Sequence, residues 1–195
     1  MNAEFGLLVT DSSPLITLAA ADALSCLTRL GLPIIIPDMV FVEVTQDVAR
    51  LGASQIVDWV REAGADVRIA PTRIYSEFEA LRMLDPKTRS RGRGEQAALE
   101  ILNAELARLP ETHAFLLFED SDVGKRSFVR ALPENVAAIS TGDLLRELEF
   151  AGLIQSADHI IDAALAANRN VERQRDDVER MTDDNPLREH LKTAR

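Results

Sequence analysis

A single cysteine, three histidines, no basic excess and no long apolar run already narrow what this chain can be. Cys26 alone cannot form an intrachain disulfide, which points to a reducing compartment, and its apolar helical surroundings make it a packing residue rather than a nucleophile. His113 precedes an apolar strand, His159 lies in a late helix and His190 in the tail, so none has metal-ligand spacing. No Gly-x-Ser-x-Gly elbow supports a serine triad. Gly92-Arg93-Gly94 runs into Glu95 with no strand close before it, which is not a dinucleotide fingerprint. A haloacid-type phosphatase would carry a second Asp two residues after Asp11, where Ser13 stands. No uncharged stretch approaches the roughly 18 residues of a membrane span. Asp11 and Pro14 interrupt the early apolar residues, so no signal peptide is read. A cytoplasmic protein without membrane contact is expected.

What is present is a set of acids at the borders of apolar runs. Asp11 closes Leu7-Leu8-Val9-Thr10, and Glu43 sits in a helix that follows Ile34-Ile35-Ile36. Glu95 opens a helix in Gly94-Glu95-Gln96-Ala97-Ala98. Asp120 closes Phe115-Leu116-Leu117-Phe118, with Glu119 and Asp122 beside it. In an open parallel α/β sheet the ligand crevice lies beyond the carboxyl ends of the strands. Carboxylates that converge there repel one another unless a hard divalent cation lies between them. Oxygen-only ligands suit Mg²⁺ or Mn²⁺ rather than zinc. Each acid also has an ordinary structural role open to it. Asp11 can cap the helix after it, Glu95 occupies a first turn where the helix dipole favours an acid, and Glu43 is one Glu on a helix.

The net charge of −10 argues against a polyanionic partner until its distribution is considered. Between Arg82 and Arg93 five basic residues stand against the single acid Asp85, and this window leads directly into Glu95. Lys125, Arg126 and Arg130 follow Asp120 and Asp122 in the same way. Basic side chains beside acids are what binding a polyanion next to a metal requires, and a solvated loop and helix face is the ordinary alternative.

A composition that is 46% hydrophobic over 195 residues is sufficient for one sizeable core. Strands are read at Leu7–Thr10, Ile34–Ile36, Phe115–Phe118 and Val136–Ile139, with an edge strand at Val67–Ile69. Helices are read at Leu15–Leu30, Asp38–Arg50, Ser54–Ala63, Tyr75–Leu84, Glu95–Leu109, Val123–Ala131, Leu144–Ala151 and Ala157–Ala167. Alternating strand and helix makes a single α/β domain with a parallel central sheet over residues 1–155 the natural fold. Residues 156–195 form a helical C-terminal extension. From Asn168 onward seven basic and seven acidic residues with few apolar ones describe a charged helix that frays outside the core, or a partner-binding tail.

Four of these stretches resemble the successive motifs of PIN-domain nucleases, in the bacterial branch of VapC-like toxins. They are Val-Thr-Asp-Ser-Ser-Pro-Leu-Ile-Thr-Leu-Ala (9–19), Ile-Pro-Asp-Met-Val-Phe-Val-Glu-Val (36–44), Gly-Glu-Gln-Ala-Ala (94–98) and Leu-Leu-Phe-Glu-Asp-Ser-Asp-Val-Gly-Lys-Arg (116–126). The stretch from Ile139 to Ile154 fits the same branch. The resemblance implies an acidic cluster holding Mg²⁺ or Mn²⁺, endonucleolytic RNA cleavage, a small antitoxin partner and a homodimer. By motif, Asp11, Glu43, Glu95 and Asp120 are the catalytic acids, with Asp11, Glu95, Asp120 and Asp122 as metal ligands. Relatives show two adjacent acids followed by a basic residue at the last motif, where this chain reads Glu119-Asp120-Ser121-Asp122, so which of these carboxylates meets metal stays open.

The expected chemistry is in-line attack of water on an RNA phosphodiester, with Arg93, Lys125 and Arg126 holding the backbone. Ser12 and Thr141 have two roles open, a helix cap or a hydrogen bond to a carboxylate or water. A catalytically silent α/β module that binds RNA or a protein is the alternative. A phosphatase or 5′-nuclease using the same acids is a third reading.

Overall fold

The computed structural model describes residues 5–119, 132–171 and 185–193. Five parallel strands, β1 (Phe5–Thr10), β2 (Ile34–Pro37), β3 (Val67–Ala70), β4 (His113–Leu117) and β5 (Val136–Ile139), form one sheet in the order β3-β2-β1-β4-β5. The chain starts in the middle, builds outward to β3, then returns to the other side of β1. Connections leaving β1 and β4 therefore run to opposite sides, which places a topological switch point, and a crevice, at their carboxyl ends. The α/β fold expected from the sequence is the fold found.

The strands are apolar throughout because both faces are covered. Leu8, Ile34, Ile36, Phe115 and Leu117 face one core, while Leu7, Val9, Ile35, Ala114 and Leu116 face the other, following the alternation of side chains along a strand. The second core is closed by α6 (Arg93–Arg108) through Ala98, Ile101, Leu102 and Leu106, whose spacing makes one stripe. The first is closed by α1 (Ser12–Ala20), the single-turn α2 (Ser25–Thr28), α4 (Ala53–Ala63), α7 (Thr141–Phe150) and α8 (Ala157–Ala166). Helices α3 (Asp38–Thr45) and α5 (Arg73–Leu84) pack beside α6. Ser140 caps α7 in a reciprocal capping box with Asp143, as the Ser-Thr-Gly-Asp run suggests. No described helix is long and apolar enough to cross a membrane.

Three expectations need correction. Leu15–Leu30 is not one helix: the chain turns at Asp22, which holds a left-handed φ of 54°. The third helix ends at Thr45 rather than Arg50. The tail, read as lying outside the core, buries Val171, Leu187 and Leu191 against it. Leu187 and Leu191 are four residues apart on α9 (Pro186–Thr193), so they share a face, and that face packs on the core. Their neighbour Arg188 donates from Nε and Nη2 to the two carboxylate oxygens of Glu147, both at 2.8 Å. Position 190 adds His190, whose ring meets the stacked Phe5–Phe115 pair edge-on. The helix expected at 123–131 lies outside the described residues.

Candidate active site

The crevice predicted by the topology is built first by β1. Asp11 N–H donates to Leu117 O at 3.0 Å, which fixes the carboxyl end of β1 against β4. Asp11 occupies the N-cap position of α1 but makes no side-chain capping bond, so the structural role open to it in the sequence is not the one it plays. It is 5% exposed, and Ser12 Oγ approaches its Oδ1 at 3.5 Å. Ser12, with two roles open in the sequence, therefore sits beside a carboxylate.

Glu43 arrives from α3 and Glu95 from the first turn of α6. Both line, with Asp11, a cleft of about 250 Å³. The approach is close because residue 94 has no side chain. A Cβ at Gly94 would lie 2.8 Å from Glu43 Oε2 and 3.4 Å from Asp11 Oδ1, and it would also touch Val40. Glycine there is what lets two carboxylates meet over the start of α6. Gly92 caps the same helix with a φ of 75°, a left-handed turn that swings the basic loop to the cleft rim.

Glu43 records the crowding. Its pKa is pushed up to about 7, by burial first and by the charge of Asp11 next, with Glu95 adding to it. A hydrogen bond from Ser90 and the nearby Arg50 pull the other way. A carboxyl that holds its proton to neutrality beside a second carboxylate is a position a divalent cation would relieve.

A testable consequence concerns the metal-free protein. The folded state retains a proton on Glu43 between its ordinary 4.5 and about 7, so stability is greatest below that window and is lost as pH rises through it. Because Glu43 is only half-buried, the loss is discounted to roughly 1–2 kcal/mol. Urea unfolding in EDTA at pH 5.5 and 8 is expected to show it, and Glu43→Gln is expected to flatten the difference. Equal slopes in wild type and variant would contradict the crowding.

Asp11, Glu43 and Glu95 are thus brought to one cleft, whereas Asp120, Asp122, Lys125 and Arg126 lie outside the described residues. Among the described residues no group of three His, Cys, Asp or Glu side chains is close enough to hold a metal ion. The donor set nonetheless fits Mg²⁺, which is held by one or two carboxylates together with waters and substrate phosphate. Arg93 does not line the cleft: its guanidinium lies over the Phe78 ring, 5.5 Å from the centroid, where Arg82 also lies. Stacking on an aromatic face retains it there.

The cations that do line the cleft are Arg50 and Arg91, with Ser90 between the loop and Glu43. Arg91 was visible only as one of five basic residues in its window. Arg50 was hidden by the expectation of a longer helix, which would carry it two turns away from Glu43. Because α3 ends at Thr45, the chain doubles back and Arg50 Nη1 donates to Glu43 O at 3.0 Å. Glu119 points elsewhere. Its Oε1 accepts from Thr141 at 2.8 Å, and its Oε2 accepts from Thr17 at 3.1 Å and from Arg169 at 3.2 Å. Of the two roles open to Thr141, it takes the carboxylate, while Ser140 caps the helix.

No curated protein matches the chain. A sequence model of a known family does, over residues 7–105, just over half of the chain and the part that carries Asp11, Glu43 and Glu95. That family is described as a PIN domain, and PIN domains are generally nucleases that use divalent metals. With a five-stranded parallel sheet and acids gathered at the carboxyl end of its central strand, the chain belongs to the PIN-domain family.

Proposed function

We propose that the protein is a metal-dependent endoribonuclease and the toxin of a toxin–antitoxin pair. The observation that carries this reading is the meeting of Asp11 and Glu43 over Gly94 at the switch point of the sheet. Asp11 and Glu43, with Glu95 at the same cleft and Asp120 or Asp122 from the stretch of sequence after β4, would hold Mg²⁺ or Mn²⁺. When bound, the metal supplies an acidified water and neutralises charge on the phosphate oxygens. Arg50 and Arg91 stand on the cleft wall, where a phosphodiester backbone needs positive charge. Ser12 and Ser90 orient the carboxylates by hydrogen bonds, so the acids are held in place before substrate arrives. RNA as substrate, a small antitoxin and a homodimer follow from the resemblance of the four motifs to VapC-like toxins, and a cytoplasmic site from the single cysteine and the absence of a signal-peptide pattern.

The test is cleavage of a mixed RNA panel in Mg²⁺, Mn²⁺ or EDTA, beside single-stranded DNA and a phosphomonoester. Internal RNA cleavage that EDTA abolishes and metal restores is the expected result. Cleavage indifferent to EDTA would overturn the mechanism. A protein that binds no metal and cleaves nothing is the silent binding module instead, and turnover of the phosphomonoester alone makes it a phosphatase.

A further inference from the structure

The residue that links the tail to the crevice is Arg169. Helix α8 ends in a reciprocal pair of backbone bonds, Asn168 N–H to Leu165 O at 2.9 Å and Arg169 N–H to Ala164 O at 3.0 Å. Asn168 takes the left-handed φ of 62° that this ending requires. The turn sends the Arg169 side chain across the start of α1. There Nε donates to Thr17 Oγ1 at 2.9 Å, and Nη2 donates to Ser13 O at 3.2 Å and to Glu119 Oε2 at 3.2 Å.

These partners are not arbitrary surface. Ser13 lies two residues after Asp11, in the first turn of the helix that Asp11 opens. Glu119 lies two residues after the end of β4 and directly before Asp120. Thr17 and Thr141, both fully buried, also donate to Glu119. One guanidinium therefore clamps the segments leaving β1 and β4, the two walls of the switch-point crevice. Arginine suits this because its planar fork donates in several fixed directions at once, which a lysine ammonium on a flexible stem does not reproduce.

We propose that Arg169 is a positioning residue for the carboxylate cleft, holding the first turn of α1 against the end of β4 so that Asp11 stays beside Glu43. It touches neither carboxylate and acts through Ser13, Thr17 and Glu119. This deepens the nuclease reading, on which its catalytic consequence rests, and it makes the segment after α8 part of the working domain. A misplacement of about 1 Å in a reacting group costs on the order of a hundredfold in rate, so loss of the clamp is expected to be felt at the site.

Arg169→Met alone strips a guanidinium from the buried Glu119 carboxylate and is liable to unfold, so the informative variant is the double one, Glu119→Gln with Arg169→Met. Arg169→Lys serves as the second. Three readouts are made on the full chain: the carboxyl carbon resonances of Asp11 and Glu43 without metal, Mn²⁺ affinity by calorimetry, and RNA cleavage. Expected for the double variant are a native melting transition, shifted Asp11 and Glu43 resonances, tenfold weaker Mn²⁺ binding and at least tenfold lower kcat with KM for RNA unchanged. Arg169→Lys is expected to move the same quantities about threefold. A purely structural role predicts that both folded variants match wild type in resonances and Mn²⁺ affinity, and that result would overturn the proposal. If wild type itself neither binds Mn²⁺ nor cleaves RNA, the nuclease reading fails, and the resonances still decide whether Arg169 positions the acids.

Discussion

Asp11→Asn is expected to lower RNA cleavage by roughly 10²–10³-fold, the range for removing one preorganised electrostatic group from an active site, while the protein becomes no less stable. Asn keeps the shape of Asp11 and removes the charge that, after burial, contributes most to holding Glu43 protonated. The Glu43 carboxyl should then titrate closer to its ordinary 4.5, and repulsion in the metal-free fold should fall. Loss of activity with retained or raised stability is the signature of a group kept for function at a cost to the fold. Gly94→Ala provides an independent check on geometry. Alanine is favoured over glycine in a helix by about 1 kcal/mol, and the closest atom it meets, Glu43 Oε2, is the movable end of a side chain. The fold should tolerate it. The acids must separate to make room, and a hundredfold fall in kcat is expected on the order set by 1 Å displacements. Cleavage at wild-type rate in both variants would remove the acid pair from the mechanism.

Arg188→Ala is expected to destabilise the protein by about 3–5 kcal/mol, the usual result of stripping one partner from a buried ion pair. The Glu147 side chain is 3% exposed and that of Arg188 11%, so the carboxylate left behind has little access to water. Arg188 also lies 4.8 Å from the centroid of the Phe150 ring, which loses its cover. Against a typical total of about 5–15 kcal/mol, such a loss is large. Urea unfolding of Arg188→Ala beside the double variant Glu147→Leu with Arg188→Met separates the causes. The double variant, with no buried charge, should recover most of the loss. If the single variant unfolds at the wild-type midpoint, the Arg188–Glu147 pair contributes no stability to the domain.

Much of this was readable from local pattern. Runs of three or four residues marked the strand positions, and Asp11 already stood at the carboxyl end of the first, the side that a parallel sheet turns into a crevice. What was not readable depended on partners far along the chain. The break at Asp22 occurs in Ala20-Ala21-Asp22-Ala23, which contains neither Pro nor Gly, so no local signal ends the helix there. Nothing between Thr45 and Arg50 marks the end of α3, and the cation beside Glu43 was missed with it. Arg169 and Glu119 are fifty residues apart and each is an unremarkable charge in its own surroundings. Gly94 was legible as part of a motif, but the reason for it, the carboxylates of Asp11 and Glu43 standing where a Cβ would lie, exists only in three dimensions.

The central place of β1 has a kinetic side. Its two neighbours are β2, which follows within thirty residues, and β4, whose last residue is Leu117. At synthesis rates of about 5–20 residues per second, β1 waits roughly 5–20 s between leaving the ribosome's active centre and the arrival of that second partner. Over that interval the edge of β1 that will meet β4 has unpaired backbone and Leu7, Leu8 and Val9 lack part of their cover. The carboxylate cleft waits as well, since Ser90, Arg91, Gly94 and Glu95 on its wall come from the middle of the chain. The nascent protein is therefore adhesive along that edge until β4 emerges, and chaperones that shield strand edges are expected to have their largest effect on it in that window.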